Sequence, residues 1–470
     1  MAIAAESAVA STSQVTSWGA NLNGQLGNGT TSNRHIPAPV TGLSGPVTSV
    51  AAGIDTGLAL LNNGAVEEWG GGAARGNEDS LPVPVSGLSG VTAITALGEG
   101  GGLALLTDGT VMQWAKHGAP VVVSGLSGAT AVAGGLGFAL ALLSNGTVVA
   151  WGTNEWGQLG DGTTESSATP VAVSGLSGVR SISAGYFHSL AVLNSGQVMA
   201  WGNNFDGQLG DGEMGEGTYE DTNSDVPVAV CAIGTEGPCP SGPYLSEVTA
   251  VSATNATDSL ALLANGTAVA WGQNDAGELG DGINIIGSDV PVAVEDLSDV
   301  TAIATGGSHS LAVLRNGTVM AWGWNASGML GDGSSTGPEK CDVEQGDGGF
   351  PCSRIPVAVS KLTGVVGVAA GGGDSFAYKV PGPSVTNMAP STGPATGHTS
   401  VTVTGTGFAL GKTATLFKFG TAKATSVDCT STTTCSLVTP AHAAGIVDVT
   451  ATVNKVTSAK NPPGDEFTYS

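Results

Sequence analysis

Short apolar runs broken by glycine recur in one order through the first three quarters of the chain. Aligned on a tryptophan they read LALLNNGAVEEWG (58–70), LALLTDGTVMQWA (103–115), LALLSNGTVVAWG (140–152), LAVLNSGQVMAWG (190–202), LALLANGTAVAWG (260–272) and LAVLRNGTVMAWG (311–323). In each copy two apolar runs flank Asn-Gly, Asp-Gly or Ser-Gly. A two-residue turn with positive φ at both central positions favours such residues, because Gly, Asn and Asp adopt that backbone at least cost. Each copy therefore predicts a β-hairpin. A further apolar run precedes the hairpins (VTAITA, VRSISAG, VTAIATGG), and another follows after a loop (IPAPV, VPVPV, TPVAV, VPVAV, IPVAV). The repeating unit is about four strands, the size of a propeller blade.

The array is incomplete at both ends in complementary ways. It begins at SQVTSWG with no hairpin partner before it and finishes at VVGVAAGGGDSFAYKV with no tryptophan strand after it. Joined, the two ends make one blade. Trp18, Trp69, Trp114, Trp151, Trp201, Trp271 and Trp322 then mark seven blades. A ring closed in this way leaves no sheet edge free to recruit other chains. The fold class expected is all-β, a seven-bladed propeller over residues 12–381.

The repeats resemble those of the regulator-of-chromosome-condensation family. The matching residues are the WGxNxxGQLGDG loop, seen at 151–162, 201–212, 271–282 and 18–29, together with AGYFHSLAVL (184–193) and GGSHSLAVL (306–314). After Pro381 the composition changes: Trp disappears, Thr becomes dense, and alternating runs such as TSVTVTG, ATLFKFG and VDVTATV predict half-buried strands of a small sandwich. Residues 382–470 resemble the IPT/TIG immunoglobulin-like domain through Pro390, Ser391, Gly393, Pro394, Gly405, Thr406, Gly407, Phe408, Phe419, Gly420, Phe467 and Tyr469. In that family such domains space or anchor a neighbour, or bind a ligand.

Charge changes the functional picture. Members of the repeat family act on chromatin and a small GTPase, but 38 Asp plus Glu against 14 Lys plus Arg, a formal net charge of −24, leave no basic stripe for phosphates. Nucleic-acid binding is not expected. Guanine-nucleotide exchange ranks low, since only the family name implies it. The six cysteines fall into local pairs, Cys231 with Cys239, Cys341 with Cys352 and Cys429 with Cys435. Local disulfides are the economical reading, and the other connectivities stay open. Free thiols are the alternative. Zinc is disfavoured because no Cys-x-x-Cys spacing or adjacent His accompanies the pairs. MAIAAESAVA lacks the charged start and long apolar segment of a signal peptide, and no run of about 18 apolar residues predicts a membrane span. Cysteines, acidity and the second domain together predict a secreted or cell-surface protein without membrane insertion, expected to be a monomer.

Catalytic chemistry is sparse. His188 and His309 share one slot of two repeats, a slot that carries Thr56, Asp258 and Asp374 in others, so no triad or carboxylate pair emerges and no catalytic residue is assigned. Asp161, Asp211, Asp281 and Asp332 read as turn residues of the LGDG loops. The acidic run at 213–225 is a weak calcium candidate whose spacing does not fit the EF-hand pattern, so neither metal nor cofactor is expected. What varies inside the repeated frame is aromatic. Trp156, Phe205 and Trp324 stand in the motif loops, with Tyr186, Phe187 and Tyr219 nearby. If these loops gather at one end of the ring, the six form anchors for a partner.

The expected function is a propeller that binds a protein or glycan. One alternative follows from a second resemblance, to bacterial β-lactamase-inhibitor proteins, through WGANLNGQL (18–26) and AGYFHSLA (184–191). In those inhibitors aromatic residues on one face plug the partner enzyme, whereas the slots matching Tyr186-Phe187 here read Ile54-Asp55, Asn255-Ala256 and Gly373-Asp374. The other alternative is a hydrolase or lyase with carboxylates at the channel mouth. The insertions at 212–247 and 333–354 are expected to carry specificity, whether they cover the channel or project outward.

Overall fold

In a computed structural model, the structure describes residues 14–71, 79–98, 100–215, 222–283, 286–341, 349–379, 382–412, 414–453, 456–458 and 460–470. The chain divides into two compact units, 1–379 and 380–470. The first contains seven antiparallel sheets. In six of them four strands follow in chain order, as in Val179–Ala184, His188–Leu193, Val198–Gly202 and Ser224–Ala229. The seventh sheet is shared between the ends. Val15–Gly19 lies between Arg34–Pro39 and Asp374–Tyr378, with Trp18 opposite Ser375 and Gly19 opposite Asp374, and Gly367–Ala370 completes it. Numbering blades by their tryptophans, this shared sheet is blade one and the sheet of Trp322 is blade seven.

Each tryptophan belongs to a different hydrophobic cluster, and each cluster joins two adjacent blades. Trp201, for example, packs with Leu140, Val148 and Val173 of blade four. Trp18, Trp69, Trp114, Trp151, Trp271 and Trp322 occupy the other six clusters. A sheet of four strands cannot cover both its faces alone, so the blades bury one another and the wide indole is the wedge.

The wedge also carries a polar tie. The indole N–H of Trp69 donates to the Gln25 carbonyl at 2.8 Å, Trp201 to Gln158 at 2.9 Å, Trp271 to Gln208 at 2.9 Å, Trp322 to Glu278 at 2.6 Å and Trp18 to Met329 at 2.7 Å. In every case the acceptor lies in the WGxNxxGQLG loop of the preceding blade. The asparagine of that motif holds the loop in shape: Asn154 Oδ1 accepts from Leu159 N at 2.8 Å while its Nδ2 donates to the Thr163 and Glu165 carbonyls. Glycine after the leucine is obligatory, because a Cβ on Gly160 would lie 2.6 Å from Trp201 Nε1.

The innermost strands of all seven blades line a central cavity of about 270 Å³, walled by Val50, Ile94, Val132, Ile182, Ile303 and Val368 among others, with Thr95, Ser183, Ser252, Thr254 and Thr305 as its hydroxyl residues. The described part of the insertion at 333–354 lies away from this channel. Glu339–Cys341 pairs with Phe350–Ala358 as a fifth strand on the outer edge of blade seven, so it projects outward. Cys341 and Cys352 are joined there, as are Cys231 with Cys239 and Cys429 with Cys435, which closes the connectivities left open by the sequence. Among the described residues no helix is long and apolar enough to cross a membrane.

The second unit is a two-sheet sandwich. One sheet orders Ser384–Ala389, Ser400–Thr406, Thr434–Val438, Thr425–Ser431 and Gly411–Lys412. The other is built on Gly445–Val453, paired with Glu466–Tyr469 and Leu416–Phe419. The aromatic marks of the sequence form its core: Phe408 meets Phe417 edge-on at 5.2 Å, Phe419 meets Phe467 at 5.2 Å, and Phe467 meets Tyr469 at 4.9 Å.

Trp201→Phe keeps most of the wedge and removes the tie. Because the Gln158 carbonyl still accepts from Ser189 Oγ at 2.9 Å, the cost expected is only about 1 kcal/mol. Trp201→Ala, which empties the wedge, is expected to cost about 3–5 kcal/mol. Chemical unfolding of the full chain, followed by far-ultraviolet circular dichroism, checks the ranking, and equal losses for both variants refute it.

Candidate functional site

In every blade the turn between the first two strands and the loop after the third strand lie at the same end of the ring, because successive strands run antiparallel. Asn203 N, opening the loop of blade five, donates to the Phe187 carbonyl in that blade's turn at 2.9 Å. All the aromatic positions singled out in the sequence and described here therefore share one end.

They do not all converge. Trp156 in the blade four loop and Phe187 in the blade five turn approach with ring centroids 6.5 Å apart, and Tyr186 lies 6.4 Å from Phe187. The three are partly exposed and make one patch. Trp324 stands elsewhere, packed edge-on at 6.4 Å against Phe350 of its own blade's insertion. Phe205 is half-buried on the loop of blade five, and Tyr219 lies outside the described residues. The strand register moves two of the slots compared in the sequence. His188, Asp258 and Asp374 are equivalent, opposite Gly202, Gly272 and Gly19, so the residues matching Tyr186-Phe187 are Ala256-Thr257 and Gly372-Gly373. The aromatic turn remains peculiar to blade five in this comparison.

Tyr186 also reaches the channel mouth. Its hydroxyl is pushed up from the usual phenol range by burial and then by the carboxylates of Asp55 and Asp374. The mouth is closed by polypeptide. Asn255, in a left-handed conformation at φ 54°, donates through Nδ2 to the Ala52 carbonyl at 2.8 Å and to the Ala370 carbonyl at 3.5 Å. Its side chain thus ties blade six to blades two and one. Around it the turns bond in series: Leu136 N to the Tyr186 carbonyl, Tyr186 N to Ala256, Gly307 N to Gly371 and Gly372 N to Ile54. The sequence assigned Asn255 no such role, although its signal was a large polar residue where the register of other blades places Gly185, Gly306 and Gly371.

The shared His/Asp slot lies buried between blades. His188 Nε2 is 3.0 Å from Ser259 Oγ, and that hydroxyl donates to the Gln208 carbonyl, so the imidazole is the donor in the first bond. His309 sits 2.8 Å from Ser375 in the same way. Burial lowers these histidines to about 3 and about 4, which keeps them neutral, and raises Asp258 and Asp374 well above the carboxylate range. Fully enclosed groups of this kind support the blades rather than exchange protons with a substrate.

The LGDG aspartates behave as turn residues: Asp161 Oδ1 accepts from Thr163 N at 3.0 Å and Asp332 Oδ1 from Ser334 N at 2.8 Å. Among the described residues no group of three or more His, Cys, Asp or Glu is placed to hold a metal ion. One carboxylate departs from the motif. Glu278 stands where other loops have Gln25, Gln158 and Gln208, whose side-chain oxygens accept from the backbone two residues earlier. Glu278 Oε2 makes the same bond to Ala276 N at 2.8 Å. Burial first, and Asp275 and Asp206 after it, raise its carboxyl to about 8, and burial with Asp275 raises Asp206 to about 6.

A carboxyl whose folded pKa exceeds its unfolded value stabilises the fold at low pH and loses that contribution as pH rises from the unfolded value, 4.5, to the folded value near 8. Glu278→Gln restores the motif without a charge to bury. The variant is expected to match the parent near pH 4 and to exceed it by on the order of 3 kcal/mol at pH 9. Thermal midpoints measured across pH 4–9 test this, and parallel profiles for the two proteins contradict it.

Comparisons with known proteins agree with this architecture. The family model described as the regulator of chromosome condensation (RCC1) repeat matches residues 14–60, 145–192 and 265–313, and a second model of the same repeat matches 129–158, 179–208 and 300–328. The IPT/TIG domain model matches 383–469. The chain is 39% identical over 88 residues to the protein RCC2 homolog of Danio rerio, covering 18% of each chain. It is 35% identical over 130 residues to the probable E3 ubiquitin-protein ligase HERC6 of Homo sapiens, covering 27% of this chain and 11% of that one. The matched stretches thus span less than a fifth of the length of these curated relatives. Among solved structures, Prp20p of Saccharomyces cerevisiae superposes with a TM-score of 0.63 at 20% identity, covering 77% of this chain and 90% of that one. Human WBSCR16 gives 0.61 at 20% identity, covering 78% and 99%. The chain is a propeller of regulator of chromosome condensation repeats followed by a C-terminal IPT/TIG domain.

Proposed function

We propose that this protein is a protein-binding propeller that works outside the cytoplasm and docks its partner at the end of the ring where Trp156, Tyr186 and Phe187 meet. The aromatic patch is the observation that carries the reading. Three partly exposed rings on rigid turns offer apolar area at little entropic cost, which is the usual composition of an interaction hot spot. The channel mouth, with Asn255 bonded across it and Asp374 buried, favours binding over hydrolysis. Structural neighbours point the same way: yeast RCC1 (Prp20) has been solved bound to Kap60. Three disulfides and the strong acidity support export, since such bridges persist in oxidising compartments. The sandwich then spaces or anchors the propeller.

A binding screen of the intact chain against secreted and periplasmic proteins, β-lactamases included, and against glycans tests this reading. A saturable protein partner is expected. Trp156→Ala and Phe187→Ala are each expected to weaken it by at least about tenfold, the scale of a hot-spot residue, while Trp324→Ala leaves it unchanged. A partner indifferent to both of the first two variants removes the patch from the proposal.

A further inference from the structure

Five of the seven tryptophans donate to a backbone carbonyl of the preceding blade's motif loop, and two do not. Blade two ends its third strand in GGGAARGNEDS and blade three ends its own in AKHGAP. Neither carries the GQLG segment that in the other five blades lies over the next tryptophan. At the junction of blades two and three, Glu68 stands in: its carboxyl accepts from Gly101 N at 3.1 Å and faces the Trp114 indole. Between blades three and four no segment among the described residues stands in.

The junction of blades three and four holds a cavity of about 390 Å³, lined by Leu97, Gln113, Trp114, Lys116, Phe138 and Trp151 with the backbone of neighbouring glycines. At the equivalent junctions a leucine and a glycine of the motif loop fill this place. Leu159, Leu209, Leu279 and Leu330 are each fully buried in the inter-blade clusters, and the glycine that follows lies flat on the indole. The cluster around Trp151 contains no such leucine.

The receiving strand is altered to match. Where blades five and seven present Ser189 and Ser310 to the incoming loop, blade four presents Ala139. The side chain whose hydroxyl bonds a loop carbonyl in blade five is thus cut back to a methyl. The tryptophan donor survives on a movable acceptor: Trp151 Nε1 donates to Gln113 Oε1 at 3.0 Å, a side chain that can turn away, instead of to a fixed carbonyl. Lys116 brings no free charge, being paired with Asp79 at 3.4 Å and with the Gly70 carbonyl. The site thus combines apolar side chains with polar groups and is equipped with one indole donor, Trp151 Nε1.

We propose that the notch between blades three and four is a peptide-binding site that accepts a tight turn of a partner protein bearing leucine followed by glycine, which takes the place of the missing GQLG loop. The chain itself displays the occupant at its five other equipped junctions. The leucine enters the apolar wall, the glycine lets the backbone lie against Trp151, and the carbonyl before the leucine accepts from Nε1 once Gln113 swings aside. This inference uses none of the residues of the Trp156 patch and stands independently of the function proposed above.

The test is a titration of the full-length protein, carrying ¹⁵N-labelled tryptophan, with a cyclised peptide NEWGQLGDG corresponding to residues 154–162. The Trp151 indole resonance, assigned with Trp151→Phe, is expected to shift saturably. A peptide with alanine for the leucine is expected to bind at least about tenfold more weakly, the scale of one buried leucine side chain. Ala115→Phe, at an exposed position on the rim, is expected to fill the notch and abolish the shift without disturbing the fold. Trp156→Ala leaves the titration unchanged, which separates this site from the other patch. An unchanged indole resonance at millimolar peptide, equal binding of the alanine peptide, or undiminished binding by Ala115→Phe overturns the proposal.

Discussion

The bond from a buried indole N–H to the carbonyl of the neighbouring blade's loop organises the propeller. An indole wedged between two sheets supplies a large apolar area, but its one donor must be satisfied when water is excluded. The motif loop meets that need with a backbone carbonyl, which cannot rotate away. The requirement propagates outward: the loop must have glycine against the ring, leucine beneath it and asparagine to hold its turn. One physical demand therefore accounts for most of the residues that recur from blade to blade.

The same demand explains where the ring departs from symmetry. Blades two and three lack the loop, and the two exposed junctions are handled differently. Glu68 covers Gly101 and faces Trp114 at one, while the other remains a cavity whose lining includes Gln113 and Trp151. Near it, the aromatic turn of blade five and Trp156 of blade four make a patch that the fold does not require. Departures from a repeat that cost the fold a covering loop, or expose an aromatic ring, mark where a repeat protein has specialised.

Burial shifts the enclosed polar groups towards their neutral forms. His188 and His309 are held as uncharged donors to Ser259 and Ser375, and burial raises Asp258 and Asp374 well above the usual carboxylate range and Glu278 to about 8. The large negative charge is thus carried chiefly by carboxylates at the solvated surface. Glu278 is the exception with a cost, because it titrates near neutrality where its counterparts are amides.

Much of this was legible in the residues alone. The hairpin turns, the blade count, the closure between termini and the sandwich follow from local periodicity, since two-residue turns and alternating strands are dictated by residues adjacent in sequence. The three disulfides were legible as near neighbours, though not as a unique pairing. The turn role of the LGDG aspartates was legible too, being a bond to the backbone two residues on. What the sequence could not disclose depends on which blades touch. That Trp156 meets Phe187 while Trp324 turns to its own insertion, that Asn255 crosses the channel to Ala52 and Ala370, and that Trp151 bonds the Gln113 side chain instead of a motif-loop carbonyl are contacts between residues tens to hundreds of positions apart. The ring's closure sets those contacts, so only the tertiary structure decided them.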